Sequence, residues 1–153
     1  MNFYWHPPAG DTLAALSPIH IGKRVGGWSF MFRGYRNPDL PFYGQTDTQT
    51  LRRYVDPDAA IPLEVTTWNQ WKALLSRGGE IRNEEGVKVT FEGFRKLVET
   101  QAHPTALHRG QPVRNYVTAV RDELQRHGQV DASSETLYWL DPQGYGFTIV
   151  HPA

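Results

Sequence analysis

The sequence predicts an α+β domain in which short antiparallel hairpins pack against two or three helices. Three observations predict it. Short runs of alternating or β-branched and aromatic residues flank turn-forming residues at several places. Three stretches instead space their apolar residues at helical intervals. The chain has 153 residues, which is one domain with a single core rather than two.

The N-terminal residues 1–18 hold Pro7, Pro8 and Pro18, so a short strand or arm and at most a turn of helix are expected there. Ile19-His20-Ile21-Gly22-Lys23 is β-like, Gly26-Gly27 can turn the chain, and Trp28-Ser29-Phe30-Met31-Phe32-Arg33 alternates. A hairpin follows, with Trp28, Phe30 and Phe32 on a core-facing aromatic side and Ser29, Met31 and Arg33 opposite. Residues 36–65, with Pro38, Pro41, Pro57 and Pro62, read as a Pro-rich insertion, with a short helix at 48–55 inside it.

The clearest helix is expected over 67–78. Thr67 and Gln70 have capping-box spacing, Trp68, Trp71, Leu74 and Leu75 form one stripe, and Gly78-Gly79 ends it. Glu80-Ile81-Arg82 and Val87-Lys88-Val89 make a hairpin around Asn83-Glu84-Glu85-Gly86. Thr90 can cap a helix through about Gln101, buried along Phe91, Phe94, Leu97 and Val98 and stopped by Pro104. The longest helix is expected over 112–127, with Pro112 in its first turn, Val113, Tyr116, Val117, Val120 and Leu124 inward and Arg114, Arg121 and Arg126 outward. Leu137-Tyr138-Trp139-Leu140, Asp141-Pro142-Gln143-Gly144 and residues 145–150 form a last hairpin with a type I turn.

The run His20-Ile21-Gly22-Lys23-Arg24-Val25-Gly26-Gly27-Trp28-Ser29-Phe30 resembles a motif, H-I-G-K followed by G-W and an aromatic strand, found near the start of small uncharacterised tailed-bacteriophage proteins. Those proteins are similar further along too, with a tryptophan-containing helix comparable to 67–76 and a turn comparable to 81–86. The likeness covers residues 19–35 and 66–101, and residues 36–65 and 112–127 depart from it. The resemblance carries no established chemistry. It implies a phage origin and, more loosely, an accessory protein acting on host machinery or host defence in the host cytoplasm.

Composition narrows the remaining classes. Sixteen Lys and Arg balance sixteen Asp and Glu, which excludes a globally basic nucleic-acid binder. Cys is absent, and with it disulfides, thiolate nucleophiles and Cys-based zinc sites. No cationic leader with a long apolar run and no spanning segment is visible, so the chain reads as soluble and intracellular. Gly22-Lys23 beside Gly26-Gly27 is not a phosphate loop, because the lysine precedes the glycine pair and a strand follows. The six histidines show no metal spacing; His20 beside Lys23 could form an acid–base pair, against the simpler reading of a structural histidine, and no G-x-S-x-G elbow marks a Ser/His/Asp triad. No cofactor is expected.

The leading expectation is therefore a non-enzymatic protein that binds and inhibits a host or host-defence protein. Its anchors would be Phe42, Tyr43, Arg52, Arg53 and Tyr54 in the insertion, because loops displayed on a scaffold carry recognition. The alternative is a nucleotide or nucleic-acid binder. Residues 12–38 carry Lys23, Arg24, Arg33 and Arg36 with no acid, interleaved with Trp28 and Tyr35, the mixture that grips phosphates and stacks bases. No membrane partner is expected, and the sequence sets no oligomeric state.

Overall fold

The structure, a computed structural model, describes residues 1–11, 13–14, 17–35, 65–128 and 137–149. Nine strands are described: β1 (Asn2–His6), β2 (Ile19–Lys23), β3 (Met31–Arg33), β4 (Glu80–Asn83), β5 (Lys88–Val89), β6 (Leu107–His108), β7 (Gln111–Pro112), β8 (Tyr138–Leu140) and β9 (Gly146–Thr148). Three α-helices accompany them: α1 (Trp68–Leu75), α2 (Phe91–Lys96), which runs on into a π-helical turn at Leu97–Gln101, and α3 (Tyr116–Arg126).

The architecture is α+β as the sequence predicts, but the hairpins do not stay separate. Seven strands join one sheet in the order β5-β4-β1-β2-β3-β9-β8, and β6-β7 form a ribbon of their own. All neighbours are antiparallel except β3 and β9, which run parallel in the register Met31–Gly146, Phe32–Phe147 and Arg33–Thr148. The β2-β3, β4-β5 and β8-β9 pairs are each legible as hairpins; what joins them is β1, lying between β2 and β4, and the parallel insertion of β9.

One face of the sheet carries the core. Phe32 sits at its centre, with ring centroids 4.6 Å from Phe30, 4.9 Å from Phe147, 5.2 Å from Trp68 and 5.5 Å from Tyr145. Helix α1 lays Trp68, Trp71, Leu74 and Leu75 onto this face, and α2 with its π turn adds Phe94 and Val98. Offset and edge-to-face rings of this kind fill volume and add about 0.5–1.5 kcal/mol per pair beyond area burial. On the opposite face, Val117 of α3 rests against Gly146 and close to Met31.

The helix starts follow the sequence signals where a side chain can reach a free N–H. The Thr67–Gln70 capping box is present in both directions, and Thr90 accepts from the Gly93 N–H. Helix α3 departs from expectation: it starts at Tyr116, not Pro112. Asn115 takes the cap with its side chain accepting from the Val117 and Thr118 N–H groups, while Pro112 belongs to the β6-β7 ribbon. The ribbon turns on Arg109 and Gly110, both at positive φ (52° and 78°), as a two-residue hairpin loop requires.

The π turn is stabilised by a long-range partner. The buried Tyr145 hydroxyl donates to the Val98 carbonyl at 2.9 Å, and burial pushes that phenol far above its ordinary pKa. The two flanks of the expected insertion are clamped together, since Tyr35 and Val65 exchange both backbone hydrogen bonds at 2.9 Å. The expected 48–55 helix lies outside the described residues.

Candidate functional site: an arginine and tryptophan ledge

The alternation expected across residues 28–33 holds for only part of the run. Phe30 and Phe32 are fully buried in the core, but Trp28 is not with them. The strand begins at Met31, and the chain before it is drawn off by another partner. The Ser29 N–H donates to the Arg114 carbonyl at 2.8 Å and the Arg114 N–H to the Gly27 carbonyl at 2.9 Å. This bridge turns Trp28 onto the surface, half-buried, with the Arg114 guanidinium carbon 4.0 Å over its ring centroid.

Around that pair the fold gathers further rings and cations. Tyr116, 43% exposed at the start of α3, lies 6.3 Å from Trp28 at 57°. Tyr138 lies 6.2 Å beyond Tyr116, and Arg121 donates to the Tyr138 carbonyl at 3.2 Å. The β6-β7 ribbon packs His108 over Gly26 and Gly27, where a Cβ at either glycine would come within 3.6 Å of the imidazole. Arg109 is exposed at the ribbon's tip. Arg24 is held against the loop, its Nη1 donating to the carbonyls of Val25 and Trp28. Val25 and Leu107, 44% and 67% exposed, add apolar surface to the same two segments.

Several cations elsewhere on the described surface sit beside carboxylates: Arg77 with Asp11, Arg82 and Lys88 with Glu80, Arg95 with Glu99, and Arg126 with Glu123. Among the described residues, Arg24, Arg109, Arg114 and Arg121 have no carboxylate at ion-pair distance. In a chain of zero net charge, these arginines lie on the segments that carry or adjoin the Trp28, Tyr116 and Tyr138 rings.

The residues singled out from sequence fare differently. Lys23 is half-buried at the end of β2, in the electrostatic neighbourhood of Glu84, and Arg24 is at the ledge. Arg33 and Tyr35 are corrected: they are 2% and 3% exposed and offer nothing to a ligand. The cause is the position of β3 inside the sheet, flanked by β2 and β9. Arg33 lies 5.4 Å from the Tyr35 ring, its carbonyl accepts from the Trp71 indole, and the Tyr35 hydroxyl donates to the His20 carbonyl. Arg36, Phe42, Tyr43, Arg52, Arg53 and Tyr54 lie outside the described residues.

His20, the candidate acid–base residue, is 6% exposed, with Nε2 2.9 Å from the Asn2 Oδ1 and its ring 5.1 Å from Tyr4. It is part of the packing. So is Gly22 of the same motif: at the bulge between β1 and β2, a Cβ there would collide with the Met31 carbonyl and the Phe30 ring. The roles of His20 and Gly22 in the His20-Ile21-Gly22-Lys23 run are therefore architectural.

Sequence reasoning missed Arg109, Arg114 and Tyr116 as a unit. The signals present were Gly110, which permits the ribbon turn, and Asn115, a better helix cap than any residue near Pro112; reading both places Arg114 before the helix. A shallow cavity of about 260 Å³ between α1, β4, β5 and α2, lined by Leu75, Ile81, Val89 and Phe91, is smaller than ordinary ligand pockets. No group of three His, Asp or Glu among the described residues could hold a metal, and none of the described helices is long and apolar enough to cross a membrane. No protein-family model, curated protein or solved structure matches this chain.

Proposed function

We propose that the protein is a non-enzymatic phage accessory protein that binds and inhibits a host or host-defence protein, and that it docks through the Arg114–Trp28 ledge. The observation that carries this reading is the exposed Arg114 stacked on the half-buried Trp28 beside Tyr116, with Arg24 and Arg121 hydrogen-bonded to the Trp28 and Tyr138 carbonyls and no carboxylate at ion-pair distance from these arginines among the described residues. Trp, Tyr and Arg are the side chains that dominate binding energy when an interface covers them. Two backbone hydrogen bonds brace the ledge, so little order is lost on docking. The motif resemblance supports the phage origin; the inhibitory role extends it.

Affinity capture from host lysate with the wild-type chain and with Trp28→Ala plus Arg114→Ala tests the proposal. The wild type retains a partner at physiological salt and the double variant, folded by circular dichroism, loses it. Capture of the same proteins by both would remove the ledge from the function. The nucleotide or nucleic-acid alternative keeps Lys23 and Arg24 but loses Arg33 and Tyr35 to the interior, and one face of Trp28 is already taken by Arg114.

A further inference from the structure

We infer that the ledge recognises a carboxylate-rich protein segment, one that presents Asp or Glu side chains together with an aliphatic or aromatic residue. This rests on the docking role just proposed and specifies the chemistry of the partner. Three observations carry it. The cations are guanidiniums, whose planar fork matches a carboxylate with two parallel hydrogen bonds, and Arg109 and Arg114 are exposed. Arg114 is already held over Trp28, so less side-chain freedom is lost when an anion arrives. Val25, next to Arg24, and Leu107, in the ribbon that carries Arg109, are 44% and 67% exposed, apolar surface that a peptide side chain can cover and a phosphodiester backbone cannot.

The same geometry disfavours a nucleic-acid strand. Bases need open, sequential ring faces. Here Arg114 covers one face of Trp28, and Tyr116 and Tyr138 are tilted at 57° and 49° to their neighbours rather than parallel.

The test uses the full chain against a display library of random twelve-residue peptides, with Arg109→Glu plus Arg114→Glu as the comparison and a labelled twenty-nucleotide single-stranded DNA and RNA as competing probes. The expected result is enrichment of acidic peptides bearing an aliphatic or aromatic residue. Their binding should weaken at least tenfold when Asp and Glu are replaced by Asn and Gln, and at least tenfold on the charge-reversed variant, which stays folded by circular dichroism because both positions are exposed, with a thermal midpoint lowered only slightly by loss of the Arg114–Trp28 stacking. Enrichment of neutral or basic peptides, no enrichment above the charge-reversed variant, or tighter binding of either oligonucleotide than of the best peptide overturns the inference. A lysate partner lost on Trp28→Ala plus Arg114→Ala but paired with neutral peptides would leave the docking role standing and remove only its acidic chemistry.

Discussion

Asp141 shows how much one buried side chain organises. It is 6% exposed, one oxygen accepts from the Gln143 and Tyr145 N–H groups at 3.0 and 2.9 Å, and the other accepts from the Trp68 N–H at 2.9 Å. It therefore shapes the β8-β9 turn and closes the first turn of α1 with the same carboxylate, next to Thr67 at the cap. Asp141→Ala leaves three N–H groups without this acceptor and lowers stability by about 3 kcal/mol, read as a shifted denaturant midpoint at unchanged slope. The turn was legible in Asp141-Pro142-Gln143-Gly144, because turn chemistry is local. The bond to Trp68 was not, since no pattern links residues so far apart along the chain. Trp28 fails for a related reason: its alternation with Phe30 and Phe32 is real in the sequence, but backbone bonding to Arg114 outcompetes the strand.

At the scale of elements, the segments whose signals are local came out as expected: α1 with its capping box, the β4-β5 hairpin, α2, and the β8-β9 hairpin. Thr67→Ala removes an N–H acceptor from α1 and costs about 1 kcal/mol, measurable by thermal or denaturant unfolding. The elements misplaced or missed depended on competition. Asn115 outdoes Pro112 as the start of α3, and the β6-β7 ribbon is too short to show a period. The β4-β5 edge also titrates. The Asn2 N–H, and after it the terminal ammonium, hold the Glu84 carboxyl below its ordinary 4.5, while Lys88 and then Arg82 lower Glu80. A lowered carboxyl stabilises the fold above its unfolded value and ceases to as the pH falls through the lowered one. Stability is thus expected to decline below pH 4.5, and Glu84→Gln to flatten that decline in acid unfolding curves.

Across the whole molecule, fold class was readable and sheet order was not. Amphipathic spacing reports which side of an element is buried, but not which neighbour lies beside it. The candidate site was legible in part: Arg24 and Trp28 stand out in the sequence, whereas Arg109, Arg114 and Tyr116 reach them only through the fold. The sheet order has its own consequence for how the protein is made. Strand β9 lies between β3 and β8, and Phe147 is stacked 4.9 Å from Phe32. Until the ribosome has released residues 146–148, the nascent chain has no means of sealing that flank of its aromatic centre. A chain cut before residue 146 is expected to leave Phe32 without its Phe147 neighbour and to be recovered bound to chaperones or insoluble rather than as a smaller working version.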